Sequence, residues 1–172
     1  IIDRSKVRVL ALGSIEPAPA RGMHLNADPG SHGFLFSAAA RAIAQGFLPD
    51  TISSGIESGD NPLPLAGMMD SMSKLLNMGL SLERVVERAT ANPARAIHRP
   101  DLGTLSEGAT ADIVLLEIRH GRFGFLDSSH ARLPGDQRLR CVLTVRNGAI
   151  LWDSEGRAAT DWIKAGPYSN FK

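Results

Sequence analysis

The chain has 172 residues, of which 43% are hydrophobic and 22% charged, the profile of a globular protein the size of one ordinary domain. Nineteen basic residues against eighteen acidic ones give a net charge of +1, which offers no electrostatic footing for nucleic acid or a membrane surface. The single cysteine, Cys141, excludes an internal disulfide and suits a reducing compartment, so a cytoplasmic location is the expectation.

No apolar run approaches the ~20 residues of a membrane span. The opening Ile1-Ile2-Asp3-Arg4 has neither an initiator Met nor a signal-peptide pattern, so the chain reads as processed or as a fragment. Val7 to Leu12 is apolar and β-prone enough for a strand. Gly13 to Gly33 has no periodicity and reads as a long loop, a length unusual inside a compact domain. Ser37 is placed to cap a helix running through Gln45, with Gly46 just past its end. Thr51 to Ser54 is a short β-prone stretch.

Three helices follow in the sequence pattern. Leu65 to Met78 is rich in Met and Leu and is stopped by Gly79. Ser81 caps a helix over Leu82 to Ala89. Asn92-Pro93 repeats the start signal, with Asn as cap and Pro as first helical residue. The character changes after Pro100. Ala111 to Ile118 and Arg122 to Leu126 read as two strands, and Cys141 to Arg146 and Ala149 to Asp153 flank Asn147-Gly148, a strong hairpin signal.

Few residues in this pattern carry chemistry of their own. His32 lies in Gly30-Ser31-His32-Gly33, where small neighbours let an imidazole approach a metal; a Gly-rich turn with a solvated His explains the same letters. Glu57, Asp60 and Asp70 offer carboxylates near the Thr51–Ser54 stretch, though a solvated loop accounts for them more simply. Met68, Met69, Met72 and Met78 fit core packing better than a cofactor site. His24, His98, His120 and His130 lack partners at metal-ligand spacing and read as surface residues. No phosphate loop, nucleophile elbow or Cys/His zinc pattern is present. On residues alone the chain is a mixed α/β domain.

Several segments, in order, resemble the amidohydrolase/deacetylase metallohydrolases, relatives of dihydroorotase. Gln45-Gly46-Phe47-Leu48-Pro49-Asp50-Thr51-Ile52-Ser53 resembles the entry to the last barrel strand of that family, and Met72 to Leu82 the helix after it. Ala89-Thr90-Ala91-Asn92-Pro93-Ala94-Arg95-Ala96-Ile97 resembles its Asn-Pro-Ala helix. Leu102-Gly103-Thr104-Leu105, Ala111-Asp112-Ile113-Val114, Phe123-Gly124-Phe125, Thr144-Val145-Arg146-Asn147-Gly148 and Asp161-Trp162 continue the match into the family's small β domain. Ile2 to Ala11 resembles a much earlier part of the barrel, so the intervening strands are expected to be missing. The fold this implies is α/β, a partial (β/α) TIM-type barrel segment over residues 1–100 followed by a small β-sandwich-type module with a C-terminal tail over 101–172. Exposed strand edges would follow, because a barrel hides its edges only by closing.

The resemblance also implies chemistry. Members hold one or two divalent metals, zinc among them, with several His, often a carboxylated Lys, and an Asp after the last barrel strand. The metal acidifies a bound water, the Asp takes its proton, and the water attacks an amide carbon of a small molecule. His32 is the one ligand carried over to this chain. Gly55 stands where the family has that Asp, Glu57 stands where it often has His, and Asp60 lies five residues beyond Gly55. No residue is therefore assigned a catalytic role. Three hypotheses follow: a zinc-dependent hydrolase of N-acyl or cyclic amides, weak or inactive as this chain; a non-catalytic remnant; or an assembly module that pairs through strand edges, as a homo-oligomer.

Overall fold

The structure is a computed structural model, and it describes residues 25–30, 33–54 and 67–165. Strand β1 is Asn26–Ala27, helix α1 Phe36–Ala44, strand β2 Thr51–Ile52, helix α2 Met68–Asn77, helix α3 Leu82–Ala89 and helix α4 Ala91–Ala96. Three longer strands follow: β3 Ile113–Leu126, β4 Arg132–Arg146 and β5 Ala149–Asp153. β1 and β2 pair in parallel, Asn26 opposite Thr51 and Ala27 opposite Ile52. With α1 between them they form a β-α-β unit, the connection parallel strands require. β3, β4 and β5 make an antiparallel sheet in that order. The α/β content expected from the sequence is present.

Residues 26–27 correct the reading of Gly13 to Gly33 as an unbroken loop. Asn is a poor strand former, and the pairing is made by partners about 25 residues away. Asp50 accepts from the Leu25 N–H at 2.8 Å, Thr51 Oγ1 donates to Asn26 Oδ1 at 2.9 Å, and Asn26 Nδ2 donates to Ser53 Oγ at 2.9 Å. The expected strand at Val7 to Leu12 lies outside the described residues.

The helix caps divide into local and remote ones. Ser81 caps α3 as expected, its Oγ accepting from Arg84 N at 3.4 Å. Ser37 does not cap α1. It sits inside the helix, Leu35 is the cap residue, and the first helical N–H donates to a carboxylate far along the chain, Asp127. Asn92 is not a cap either; α4 starts one residue earlier, after Thr90. Asn92 Nδ2 donates to the Asp50 carbonyl at 2.8 Å, beside Arg88, whose Nε donates to the Pro49 carbonyl at 2.6 Å. The Asn-Pro-Ala helix thus holds the entrance to β2.

Ala111 to Ile118 and Arg122 to Leu126 are parts of one strand, β3, which stays paired with β4 through two irregularities, at Leu115/Leu116 and His120/Phe123. Bulges let an interrupted hydrophobic pattern belong to a continuous ladder. Asn147-Gly148 forms the expected hairpin, with φ of 48° and 78° and Val145 opposite Ile150. Positive φ at both positions is what a type I′ turn demands.

Gly103 explains part of the Leu-Gly-Thr motif. Its φ is +66°, and a Cβ there would lie 2.5 Å from the Thr90 carbonyl oxygen, at the start of α4. Gly103→Ala is expected to cost about 2 kcal/mol or more, combining left-handed strain with a backbone clash. A thermal melt followed by circular dichroism reads it, and an unchanged midpoint would count against this placement.

The core joins both halves of the chain. Ile52 of β2, Met72, Leu75 and Leu76 of α2, Val85 of α3 and Leu139 of β4 are buried together. Met68, Met69 and Met78 pack around them, as core residues rather than a cofactor site. α2 also completes the hydrogen bonding of β4 where β5 does not reach. Asn77 Oδ1 accepts from Asp136 N at 3.0 Å, Asn77 Nδ2 donates to Gln137 O at 2.7 Å, and Ser73 Oγ accepts from Leu139 N at 2.9 Å. Two side chains on one helix face stand in for a neighbouring strand and cover the edge. The described part of residues 101–165 has one three-stranded sheet, not two facing ones. At its far end Val114, Leu115, Ile150, Leu151 and Trp152 are exposed.

Candidate functional site

The parallel strands define the face where chemistry is sought. Because β1 and β2 run the same way, Asp28–Gly30 and Ser53–Ser54 leave from the same end of the sheet. In open and closed parallel sheets alike, ligands bind beyond the carboxyl ends of the strands. Ser53 N donates to the Ala27 carbonyl at 2.9 Å, so the two exits stay adjacent. His32, the metal ligand expected from the sequence, lies outside the described residues, and so do His24, Gly55, Glu57 and Asp60.

Asp70 is not the solvated loop acid expected. It is on α2, 11% exposed, and pairs with Lys74 at 2.9 Å, one helical turn on. Lys74 is buried as well, and its Nζ donates to the carbonyl oxygen of Pro29 at 2.8 Å. Lysine is almost never buried without partners; here it has a carboxylate and a carbonyl. The result is an ammonium fixed beneath the residues that follow β1.

The other end of the β1–α1 connection is held by the β3–β4 turn. Asp127, 3% exposed, accepts from Phe36 N at 3.1 Å through Oδ2 and from Ser129 N and Ala131 N, each at 2.9 Å, through Oδ1. Ser128 donates to the Phe34 carbonyl through its backbone N–H at 3.0 Å and its hydroxyl at 2.8 Å. Burial pushes the Asp127 carboxyl up, but the N–H groups of Phe36, Ala131 and Ser129 and the charge of Lys74 outweigh it, leaving the group below its ordinary value. A carboxylate at the first turn of α1 also faces the positive end of the helix dipole. Neither Lys74 nor Asp127 stood out in the sequence. Asp127-Ser128-Ser129 between two β runs marks a turn, but nothing local marks a bond to Phe36.

Among the described residues no three His, Cys, Asp or Glu converge to hold a metal ion. His98, His120 and His130 are exposed and lie on separate parts of the chain, as expected. The Lys74 ammonium beside Pro29 has no lone pair to offer a metal ion, and its charge is already paired with Asp70. The described residues therefore do not fit a metal centre by themselves, and no catalytic step is derived through one.

A β-α-β unit with its exits beside a buried lysine, sharing its core with an antiparallel sheet, makes the described residues a mixed α/β architecture with a β module. Residues 36–148 match the model of the amidohydrolase family, and the chain belongs to that family. It is 33% identical over 149 residues to a deacetylase of Agrobacterium fabrum, covering 86% of this chain and 35% of the relative. A deacetylase of Brucella anthropi is 32% identical over 103 residues, covering 60% of this chain and 26% of that protein. Among solved structures, an adenine deaminase superposes with a TM-score of 0.73 at 26% identity over 79% of this chain and 37% of that one. A dihydroorotase does so with a TM-score of 0.70 at 25% identity, over 85% of this chain and 41% of that one. The match thus spans between about a quarter and about a third of the length of these deacetylases.

Proposed function

We propose that this chain is part of a metal-dependent amidohydrolase that hydrolyses a C–N bond in a small N-acyl or cyclic amide, a deacetylase in its nearest chemistry, and that it is weakly active or inactive alone. The observation that carries this reading is the likeness to a deacetylase along 86% of the chain. In the same reading residues 1–100 are a partial (β/α) barrel segment and 101–172 a small β module, with His32 as a metal ligand and zinc as the metal. No catalytic residue is assigned, because Gly55 has no side chain to take a proton. A catalytic zinc normally has three protein ligands, and His32 supplies one. A cytoplasmic location goes with this reading. No helix among the described residues is long and apolar enough to cross a membrane.

The test is metal content and turnover on the purified chain. We expect sub-stoichiometric zinc by elemental analysis and no chelator-sensitive hydrolysis of an N-acetyl amino acid. Gly55→Asp should not restore turnover, since a general base contributes about 10²–10⁴ in rate only where the rest of the centre is assembled. Tight stoichiometric zinc with turnover abolished by chelator would overturn the inactive part of the proposal.

A second reading, a non-catalytic assembly module, is favoured by one observation. The outer strand β5 exposes Ile150, Leu151 and Trp152, an apolar stretch on an edge strand of the kind that pairs with another strand. Size-exclusion chromatography with light scattering distinguishes a homo-oligomer from a monomer.

A further inference from the structure

We propose that Lys74 and Asp127 are positioning residues for the two ends of the connection between β1 and α1, Lys74 at Pro29 and Asp127 at Phe36; the inference rests on reading those ends as part of the catalytic face. The observations concern groups 45 and 91 residues apart in sequence from the atoms they hold. Lys74 Nζ fixes the carbonyl of buried Pro29. Asp127 fixes the Phe36 N–H, and Ser128 fixes the Phe34 carbonyl twice. These contacts bracket the connection, one at the exit of β1 and the others at the start of α1.

The choice of residues argues for a geometric task. α2 packs its Met and Leu face into the core, and a methionine at position 74 would fill the same space without an ion to bury. Burying Lys74 with Asp70 costs desolvation that an apolar pair would avoid. The pair does what an apolar residue could not, which is to hold a carbonyl oxygen at a set place. Asp127 is the same kind of residue, a buried carboxylate whose oxygens both accept from backbone N–H groups. The two are electrostatically linked, since the Lys74 charge acts on the Asp127 carboxylate. Lys74 ties α2 to Pro29, and Asp127 ties the β3–β4 turn to Phe36.

Amide hydrogen exchange by NMR on the full chain tests this without metal or substrate, so an inactive chain leaves the result readable, and an active one does not presuppose it. The reporters are Phe36, which donates to Asp127, and two amides bonded within other helices, Val85 to the Ser81 carbonyl and Ala94 to the Thr90 carbonyl. Lys74→Met should speed exchange at Phe36 by about tenfold, the worth of one charge-assisted hydrogen bond. Val85 and Ala94 should change far less. Lys74→Arg, which keeps a donor for Pro29, should restore most of the protection. Ser128→Ala, a mild change, should act in the same direction and keeps the test open should Lys74→Met fail to fold. Exchange that rises equally at all three amides would reduce both residues to general stabilisers and overturn the proposal. Unchanged exchange at Phe36 in folded Lys74→Met, or in Ser128→Ala where Lys74→Met does not fold, would overturn it too.

Discussion

Asp127→Ala is expected to destabilise the chain by about 3–5 kcal/mol, because one substitution strips the acceptor from three N–H groups at once. Phe36, Ser129 and Ala131 all donate to this carboxylate, and its 3% exposure leaves little room for water to replace it. The same group makes stability depend on acid. Its folded carboxyl lies below the ordinary value, so the unfolded chain takes up the proton first as pH falls. The contribution is therefore complete above about pH 4, the unfolded carboxylate range, and is lost as pH drops through the lower folded value. Urea unfolding of wild type and Asp127→Ala at pH 7 and pH 3 measures both effects. The gap between the two proteins should narrow at the lower pH, and a gap that widens would contradict the linkage.

Phe125→Ala should cost a comparable amount, about 3–5 kcal/mol, through loss of a ring and the cavity it leaves. Phe125 has no exposed surface. The Arg138 guanidinium carbon lies 5.0 Å from its centroid and 4.8 Å from that of Phe123, so the cation sits near both rings. On another side a Cβ at Gly135 would come within 2.8 Å of the Phe125 ring, so the ring occupies the space that this glycine leaves open. An exposed residue of the same sheet is the control: Leu151→Ala should move stability by no more than about 0.5 kcal/mol. Chemical denaturation of the two variants side by side gives the comparison, and equal losses would mean that the sheet face is assigned wrongly.

The elements legible in the sequence are those whose causes are local. Ser81 three residues before Arg84 starts α3, and Asn147-Gly148 turns a hairpin, because cap and turn are built from neighbouring residues. The elements that escaped are built from distant ones. β1 depends on Asp50, Thr51 and Ser53, and the start of α1 depends on Asp127. Asn92 carries the letters of a cap and serves instead as a strand anchor, a role only the fold reveals. The interruption at His120 to Phe123 looked like a strand end because periodicity reads a bulge as a break. Of the candidate site, resemblance reached the family, while His32 lies outside the described residues. The buried groups that hold Pro29 and Phe36, Lys74 and Asp127, have no pattern of their own, since a lone Lys in a helix and an Asp in a turn are ordinarily solvated.

The bonds from the β3–β4 turn to Phe34 and Phe36 close loops of 94 and 91 residues. Closure entropy grows only slowly with loop length, so such contacts weigh little against final stability, but they delay its attainment. α3 and the β4–β5 hairpin can form from near neighbours, whereas the start of α1 has its acceptor only after the β3–β4 turn has been made. During synthesis residues 34–36 must therefore wait for about ninety further residues to emerge. A single proteolytic cut in the exposed Arg99–Gly108 stretch should leave two pieces that co-elute under native conditions, because their shared core, the Asn77 bonds and the Asp127 bonds all cross the cut.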